Sequence, residues 1–152
     1  MKKIIITVIA LFFLNNCGYT QIYSSTKNNF NINKISQKDR SKLNSKFTNI
    51  IEKFSNKNGE NIIELEISSN RKIQIISKDT KGDPSRFKMT ILLNVNIINQ
   101  NYNQTNKQKS FSANFDYSND SNKFSLKQYE KEIENNLVDK IVEKSILWLS
   151  EL

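Results

Sequence analysis

The chain has 152 residues, a formal net charge of +8 and no histidine. A basic balance favours anionic partners such as nucleic acid or phosphate-bearing lipids. The absence of histidine excludes Ser-His-Asp and Cys-His catalysis and His-based zinc sites. Lysine outnumbers arginine, and no glycine-flanked aromatic platform of the RNA-binding kind accompanies the charge, so we expect no nucleic-acid partner.

The N-terminus has the pattern of an export signal. Lys2 and Lys3 precede an apolar run at residues 4–14, which at about 11 residues is too short for a bilayer-spanning helix of about 20. A short apolar run after a charged start is typical of a secretory signal, which is removed from the mature protein. We therefore assign residues 1–16 to a signal peptide, and its removal lowers the net charge to +6.

Cys17 is the only cysteine, so no intramolecular disulfide can form. It directly follows the apolar run, with Leu14 three residues before it, and this resembles the lipobox at which bacterial lipoproteins are cut and diacylated. Asn15 and Asn16 depart from the small residues usual in a lipobox. We predict lipidation of Cys17, with residues 17–29 as lipidated N-terminus and tether. The alternatives are an incidental thiol beside an ordinary signal, or an uncleaved anchor.

Residues 30–152 are enough for a single α/β domain with a modest core. The alternation in "FNINKI" predicts a first strand. The next segment, "SQKDRSKLNSKFTNIIEKF", predicts a helix with Ser36 as N-cap and Asp39 in a capping-box position. Its apolar residues at helical spacing are Leu43, Phe47, Ile50, Ile51 and Phe54.

Three further strands are predicted from alternating apolar residues. "NIIELEISSNRKIQIISKD" predicts a strand interrupted at "SSNR" by a bulge or a bend, and "DTKGDPS" has the chemistry of a turn. "RFKMTILLNVNII" and "KSFSANFDY" predict the next two strands. Their apolar faces are Phe87, Met89, Ile91, Leu93, Val95 and Ile97 in the first, and Phe111, Ala113, Phe115 and Tyr117 in the second.

The last segment, "SLKQYEKEIENNLVDKIVEKSILWLSEL", predicts a long amphipathic helix with Ser125 as N-cap and Gln128 completing a capping box. Its apolar stripe is Leu126, Tyr129, Ile133, Leu137, Ile141, Ile146, Leu149 and Leu152. The predicted fold class is α+β: two helices packed on one face of a mostly antiparallel sheet of about four strands, with the other face in water.

The residues offer little support for catalysis. Glu64 and Glu66 share one strand face opposite the apolar residues, so a solvated face explains the pair. Asp79 and Asp83 flank a turn. We expect no enzyme activity, no metal and no cofactor. The glycines, too few and too scattered for a phosphate-binding loop, are Gly18, Gly59 and Gly82.

Two stretches carry a family resemblance. One is "CGYTQIY", with Cys17, Gly18, Tyr19 and Tyr23, and the other is "FDYSNDSNKFSLKQYEKEIENNLVDKIVEKSILWL". With the order of elements between them, they resemble the LPS-assembly lipoprotein LptE family over essentially the whole mature chain. The resemblance implies an α/β sandwich that sits as a plug inside the β-barrel of its partner LptD. There it helps the barrel to assemble and assists passage of lipopolysaccharide to the outer leaflet.

The resemblance also implies a lipid-anchored location on the periplasmic side of the outer membrane, with palmitate on Cys17. Candidate lipopolysaccharide contacts surround the central turn, although a solvated turn is the plainer interpretation. These residues are Lys78, Lys81, Arg86 and Lys88.

Two other functions are compatible with the same anchor and domain. One is a lipoprotein that scaffolds a different envelope complex. The other is a carrier of an apolar ligand between helices and sheet, which would need a cavity. The residues that predict a filled core instead are Phe47, Phe54, Phe111 and Trp148.

Overall fold

The structure is a computed structural model that describes residues 28–98 and 107–151. The predicted signal peptide, Cys17, most of the tether and Leu152 lie outside the described residues. The elements are β1 (Phe30–Gln37), α1 (Lys42–Ile51) with a short 3-10 turn (Glu52–Phe54), β2 (Asn61–Lys78), β3 (Pro84–Ile98), β4 (Lys107–Ser118) and α2 (Lys123–Ser150). No helix in these two ranges is long and apolar enough to cross a membrane.

The four strands form one sheet in the order β1-β2-β3-β4. β1 runs parallel to β2, because α1 carries the chain back to the start of the sheet between them. The β2–β3 and β3–β4 pairs are antiparallel. Both helices pack on one face, so the predicted α+β fold with a mostly antiparallel sheet is confirmed.

The predicted interruption of β2 at "SSNR" is wrong. β2 is one strand of 18 residues, and these four residues pair in register with β3. Ser69 and Arg71 occupy the next core-facing positions of β2. They are polar because their partners on the helices are polar: Ser69 hydrogen-bonds Asn44 on α1, and Arg71 forms ion pairs with carboxylates on α2. The register shifts lie further on, between Ile75 and Lys78.

Both predicted N-caps are also wrong. Ser36 lies inside β1, and α1 is capped by the Ser41 hydroxyl, which accepts from the Asn44 N–H at 3.0 Å. The side chain of Asn122 caps α2, so Ser125 lies in the first turn. Several residues able to cap precede each helix, and the apolar pattern defines a helix face rather than its first residue. The predicted capping boxes of Asp39 and Gln128 are lost with the N-caps.

The core lies between the sheet and the two helices. The stripe of α2 is confirmed at six positions, whereas Leu152 lies outside the described residues. Tyr129 is 44% exposed, although its ring packs edge-on against Tyr117. Phe115 shares the core-facing parity of β4 but is 45% exposed, because β4 is the outer strand among those described. The confirmed stripe residues are Leu126, Ile133, Leu137, Ile141, Ile146 and Leu149.

Candidate functional site

The turn between β2 and β3 is built around one carboxylate. The Asp79 Oδ1 accepts hydrogen bonds from the backbone N–H groups of Lys81 and Asp83, both at 2.9 Å. The Asp79 N–H donates to the Asp83 carbonyl at 2.8 Å, and Gly82 has a φ of +88°, a conformation that suits glycine. The Asp79 carboxylate is therefore engaged with the turn backbone.

The four basic residues predicted as lipopolysaccharide contacts lie together at this end of the sheet. Lys78 pairs with Pro84 next to the turn that holds Lys81, and Arg86 and Lys88 follow on β3. Lys88 lies 3.6 Å from the Asp116 carboxylate, so its charge is partly compensated. Among the described residues, the other three form no ion pair. Three of the four cations therefore have no ion-pair partner among the described residues, while Asp79 and Asp83 lower the net charge of the turn.

A polar network that the sequence pattern does not predict lies between the helices and the sheet. Arg71 on β2 lies 3.4 Å from both Glu130 and Glu134 on α2. Glu130 also accepts a hydrogen bond from the Tyr117 hydroxyl at 2.6 Å, and Glu134 pairs with Lys46 of α1 at 3.4 Å. The available signal was an arginine at a core-facing position of β2 together with two glutamates four residues apart on a helix.

This network changes the acidity of one phenol. Burial, followed by the hydrogen bond to Glu130, raises the pKa of Tyr117 well above its ordinary value of 10.0. At a pH below the ordinary pKa of 10.0, the Tyr117 phenol is neutral in both the folded and the unfolded chain. As the pH rises above it, the unfolded chain releases the proton while the folded chain retains it, so stability is lost with increasing pH.

We expect Tyr117→Phe to lower the free energy of unfolding at neutral pH by about 1–2 kcal/mol, because the hydrogen bond to a charged acceptor is lost. Between about pH 9 and pH 11 the variant should lose less stability than the parent, since the raised pKa is gone. Urea unfolding at a series of pH values measures both effects. Identical pH dependence in parent and variant would contradict the linkage to this phenol.

A carrier of an apolar ligand would need a cavity between the helices and the sheet, and large side chains among the described residues occupy this space. Phe47 and Phe111 are buried in the core, and the Trp148 ring packs 5.8 Å from that of Phe111. An open groove of about 890 Å³ lies between β1 and α1. Seven of its eight lining residues are of polar types: Ile35, Gln37, Arg40, Ser41, Lys42, Ser45, Lys46 and Asn49.

The two acidic pairs lie at opposite ends of β2, with Glu64 and Glu66 near its start and Asp79 and Asp83 in the turn that follows it. Glu64 and Glu66 lie on the face of the sheet opposite the core, as predicted, and Glu64 accepts a hydrogen bond from Asn33 at 2.9 Å. Within the two described ranges, no group of three or more His, Cys, Asp or Glu side chains is arranged to hold a metal ion.

Solved structures share this fold, although no protein-family model and no curated protein matches the chain. The minor lipoprotein of Acinetobacter baumannii gives a TM-score of 0.60 at 10% identity, over 80% of this chain and 90% of that one. Lipoprotein B of Nitrosomonas europaea gives 0.52 at 13% identity, over 80% and 83%. The rare lipoprotein B of Shewanella oneidensis gives 0.51 at 11% identity, over 74% and 93%. The chain therefore has the fold of several bacterial lipoproteins.

Proposed function

We propose that this protein is an outer-membrane lipoprotein that fills an LptD-type β-barrel as its plug and assists lipopolysaccharide assembly at the outer membrane. The observation that carries the proposal is a domain with the fold of bacterial lipoproteins, joined to an N-terminal sequence that resembles a lipoprotein signal ending at Cys17. In this proposal acyl chains on Cys17 anchor the protein on the periplasmic side, and it acts without a cofactor or catalytic residue.

The uncovered face of the sheet supports a plug role. Ser68, Asn94 and Ser110 form a hydrogen-bonded row across β2, β3 and β4, with Asn94 donating to Ser68 at 3.3 Å and Ser110 donating to Asn94 at 2.7 Å. Most neighbouring positions on this face are also polar, with Leu92, Ile62 and Ile98 as the apolar exceptions. The polar ones are Thr90, Asn96, Ser112 and Asn114. A polar face suits the lumen of a β-barrel, which is itself polar.

The length of the sheet also supports the plug role. β1 begins beside Asn61, whereas the basic turn follows Lys78 at the other end of β2. Eighteen extended residues span about 55 Å. Since a bilayer with its headgroups is about 40–45 Å thick, the domain is long enough for its turn to approach one leaflet while its N-terminal end stays near the other.

Co-purification tests the partner. A tagged full-length protein, extracted from its native membranes in mild detergent, should bring down a large outer-membrane β-barrel, and depletion should reduce both barrel assembly and surface lipopolysaccharide. A scaffold of another envelope complex would bring down other proteins and leave surface lipopolysaccharide normal. Failure to recover any such barrel would reject the proposal.

The anchor is tested separately by the mass of the mature N-terminus and by palmitate incorporation. We expect an acylated Cys17 as the first residue, and Cys17→Ala should accumulate without acyl chains. An intact Met1 or a free thiol on Cys17 in the parent protein would contradict lipidation.

We expect simultaneous replacement of Lys78, Lys81, Arg86 and Lys88 by serine to weaken lipopolysaccharide binding about tenfold at low salt. Single exposed ion contacts are each worth less than about 1 kcal/mol, so the charges must act together. The difference should shrink as salt is raised, because exposed charges are screened.

A second quadruple variant removes the same charge elsewhere and is the matched control. Its four exposed lysines on α2 are Lys127, Lys131, Lys140 and Lys144, each replaced by serine. This control should bind lipopolysaccharide nearly as the parent does. If the turn variant keeps the affinity and the salt dependence of the parent, the four basic residues are a solvated turn.

A further inference from the structure

β2 is much longer than the strand that flanks it. β1 has 8 residues and β2 has 18, and their pairing ends at Ile67. At that point the Lys38 N–H donates to the Ile67 carbonyl at 3.0 Å, and the chain leaves the sheet for α1. Along the described part of the chain, no strand continues beside the rest of β2. Among the described strands, the second half of β2 is therefore paired on one side only, with β3.

The backbone groups on the open side belong to the odd-numbered residues. The Ile67 carbonyl points to the β1 side, and N–H and C=O groups alternate between the two sides of a strand. The hydrogen bond between Ser69 and Asn44 brings α1 close to Ser69. The open stretch thus begins at Arg71 and continues through Ile73 and Ile75, ahead of the register shift.

Along residues 72–75 the side chains are apolar on one face, at Ile73 and Ile75, and polar on the other, at Lys72 and Gln74. Ile73 and Ile75 are 39% and 51% exposed on the helix side, where Ile75 pairs with the half-buried Phe87. Lys72 lies on the opposite face of the strand. Natural proteins usually protect a free edge with charges, proline or a very short strand. Lys72 is such a charge, but the isoleucines at positions 73 and 75 still leave apolar surface exposed along the edge.

We propose that the free edge of β2 at residues 71–75 is a β-augmentation site for an extended strand of a partner protein. The partner strand carries apolar side chains at alternate positions, which cover Ile73 and Ile75, and carboxylates on the other face, which meet Lys72. This inference goes beyond the proposed function, since it assigns a surface and a binding mode that do not require a barrel partner.

Charge argues for a partner with carboxylates rather than a second copy. Antiparallel pairing of two β2 edges centred on Ile73 would set Lys72 of each copy in diagonal positions about 7–8 Å apart on one face. That separation is within the Debye length at physiological salt, about 8 Å, so the two lysines would repel each other. Two mature chains that each carry a formal +6 also repel overall.

The probe is a capped peptide of alternating valine and glutamate, about seven residues long. It is added to the full-length protein in detergent, and amide hydrogen exchange is followed residue by residue. At saturation we expect exchange at Arg71, Ile73 and Ile75 to slow about tenfold or more, with α2 unchanged. A peptide of the same composition with its valines and glutamates in separate blocks should have no such effect.

Backbone methylation of the peptide tests the binding mode without altering the protein. Two versions carry N-methyl groups on alternate residues, in the two possible phases. Only one phase removes the donors that face β2, so one version should lose binding about tenfold or more and the other should retain it. Equal behaviour of the two versions, or no slowing of exchange at the three edge residues, overturns the proposal.

On the protein side, Ile73→Pro removes a donor from the free edge but leaves the β3 ladder intact, because the Ile73 N–H faces away from β3. Ile73→Val keeps the donor and is the matched control. Peptide binding should fall about tenfold in the first variant and stay close to the parent in the second. A folded Ile73→Pro variant that binds like the parent also overturns the proposal. Barrel co-purification is unaffected by any of these outcomes, so the two proposals fail separately.

Discussion

Replacing Ile141 with aspartate is expected to unfold the domain. Ile141 is fully buried where α2 packs on the sheet, so the new carboxylate would have neither water nor a partner. Burial of an unpaired charge costs several kilocalories per mole, comparable with the total stability of a domain, about 5–15 kcal/mol. The same reasoning applies to Leu137→Asp, on the adjacent turn of the stripe. Far-UV circular dichroism and thermal melting of the full-length protein measure the effect.

Asn136→Asp is the matched control, because Asn136 is exposed on the same helix and the change in charge is the same. Its free energy of unfolding should stay within about 0.5 kcal/mol of the parent. Retention of the parent melting temperature by Ile141→Asp would mean that the α2 stripe does not face the core.

The fold could be predicted because the apolar periodicity is strong where the core is densest. In β3 every second residue from Met89 to Ile97 is buried, and the stripe of α2 repeats at helical spacing. The first residues of the helices could not be predicted, since a cap depends on local backbone geometry that several neighbouring polar residues can satisfy. The continuity of β2 was missed because polar residues replace apolar ones where the strand meets polar groups on the helices.

The basic residues of the candidate site could be predicted from the sequence, but their partners could not. The four basic residues flank a turn, so closeness in sequence ensures closeness in space. The pairing of Lys88 with Asp116 depends on the register between β3 and β4, which the sequence does not specify. Glu130 lies outside the predicted apolar stripe of α2, and its role emerges only from the tertiary positions of Arg71 and Tyr117.

One end of the domain therefore combines two chemically distinct surfaces. The turn presents cations that suit phosphate groups, and the adjoining edge of β2 presents backbone hydrogen-bonding groups and isoleucines that suit a polypeptide strand. Both lie at the far end of the sheet from the start of β1. If both proposals hold, a partner strand on β2 would hold the basic turn in a fixed orientation toward the lipid.

The two glycines inside the domain are required for different reasons. A Cβ on Gly59 would lie 2.7 Å from the carbonyl carbon of Phe30 and 2.9 Å from its oxygen. Real Cβ atoms do not approach backbone this closely, so the turn before β2 would have to move away from β1. That movement would break the 3.0 Å hydrogen bond from the Asn56 N–H to the Phe30 carbonyl. At Gly82 a Cβ would have no neighbouring atom within 4 Å, and only the positive φ disfavours a side chain.

We therefore expect Gly59→Ala to destabilise the domain by about 2–3 kcal/mol and to lower the melting temperature by about 10 °C, because Phe30, which is buried in the core, must shift with the backbone. Gly82→Ala should cost only about 1 kcal/mol, the strain of a left-handed alanine. Thermal and urea unfolding of the two variants measure the difference. If Gly82→Ala proves the more damaging, the close approach between the turn and β1 does not limit stability. If Gly59→Ala is the more damaging, as we expect, then β1 is held in the sheet by a close contact that only glycine permits.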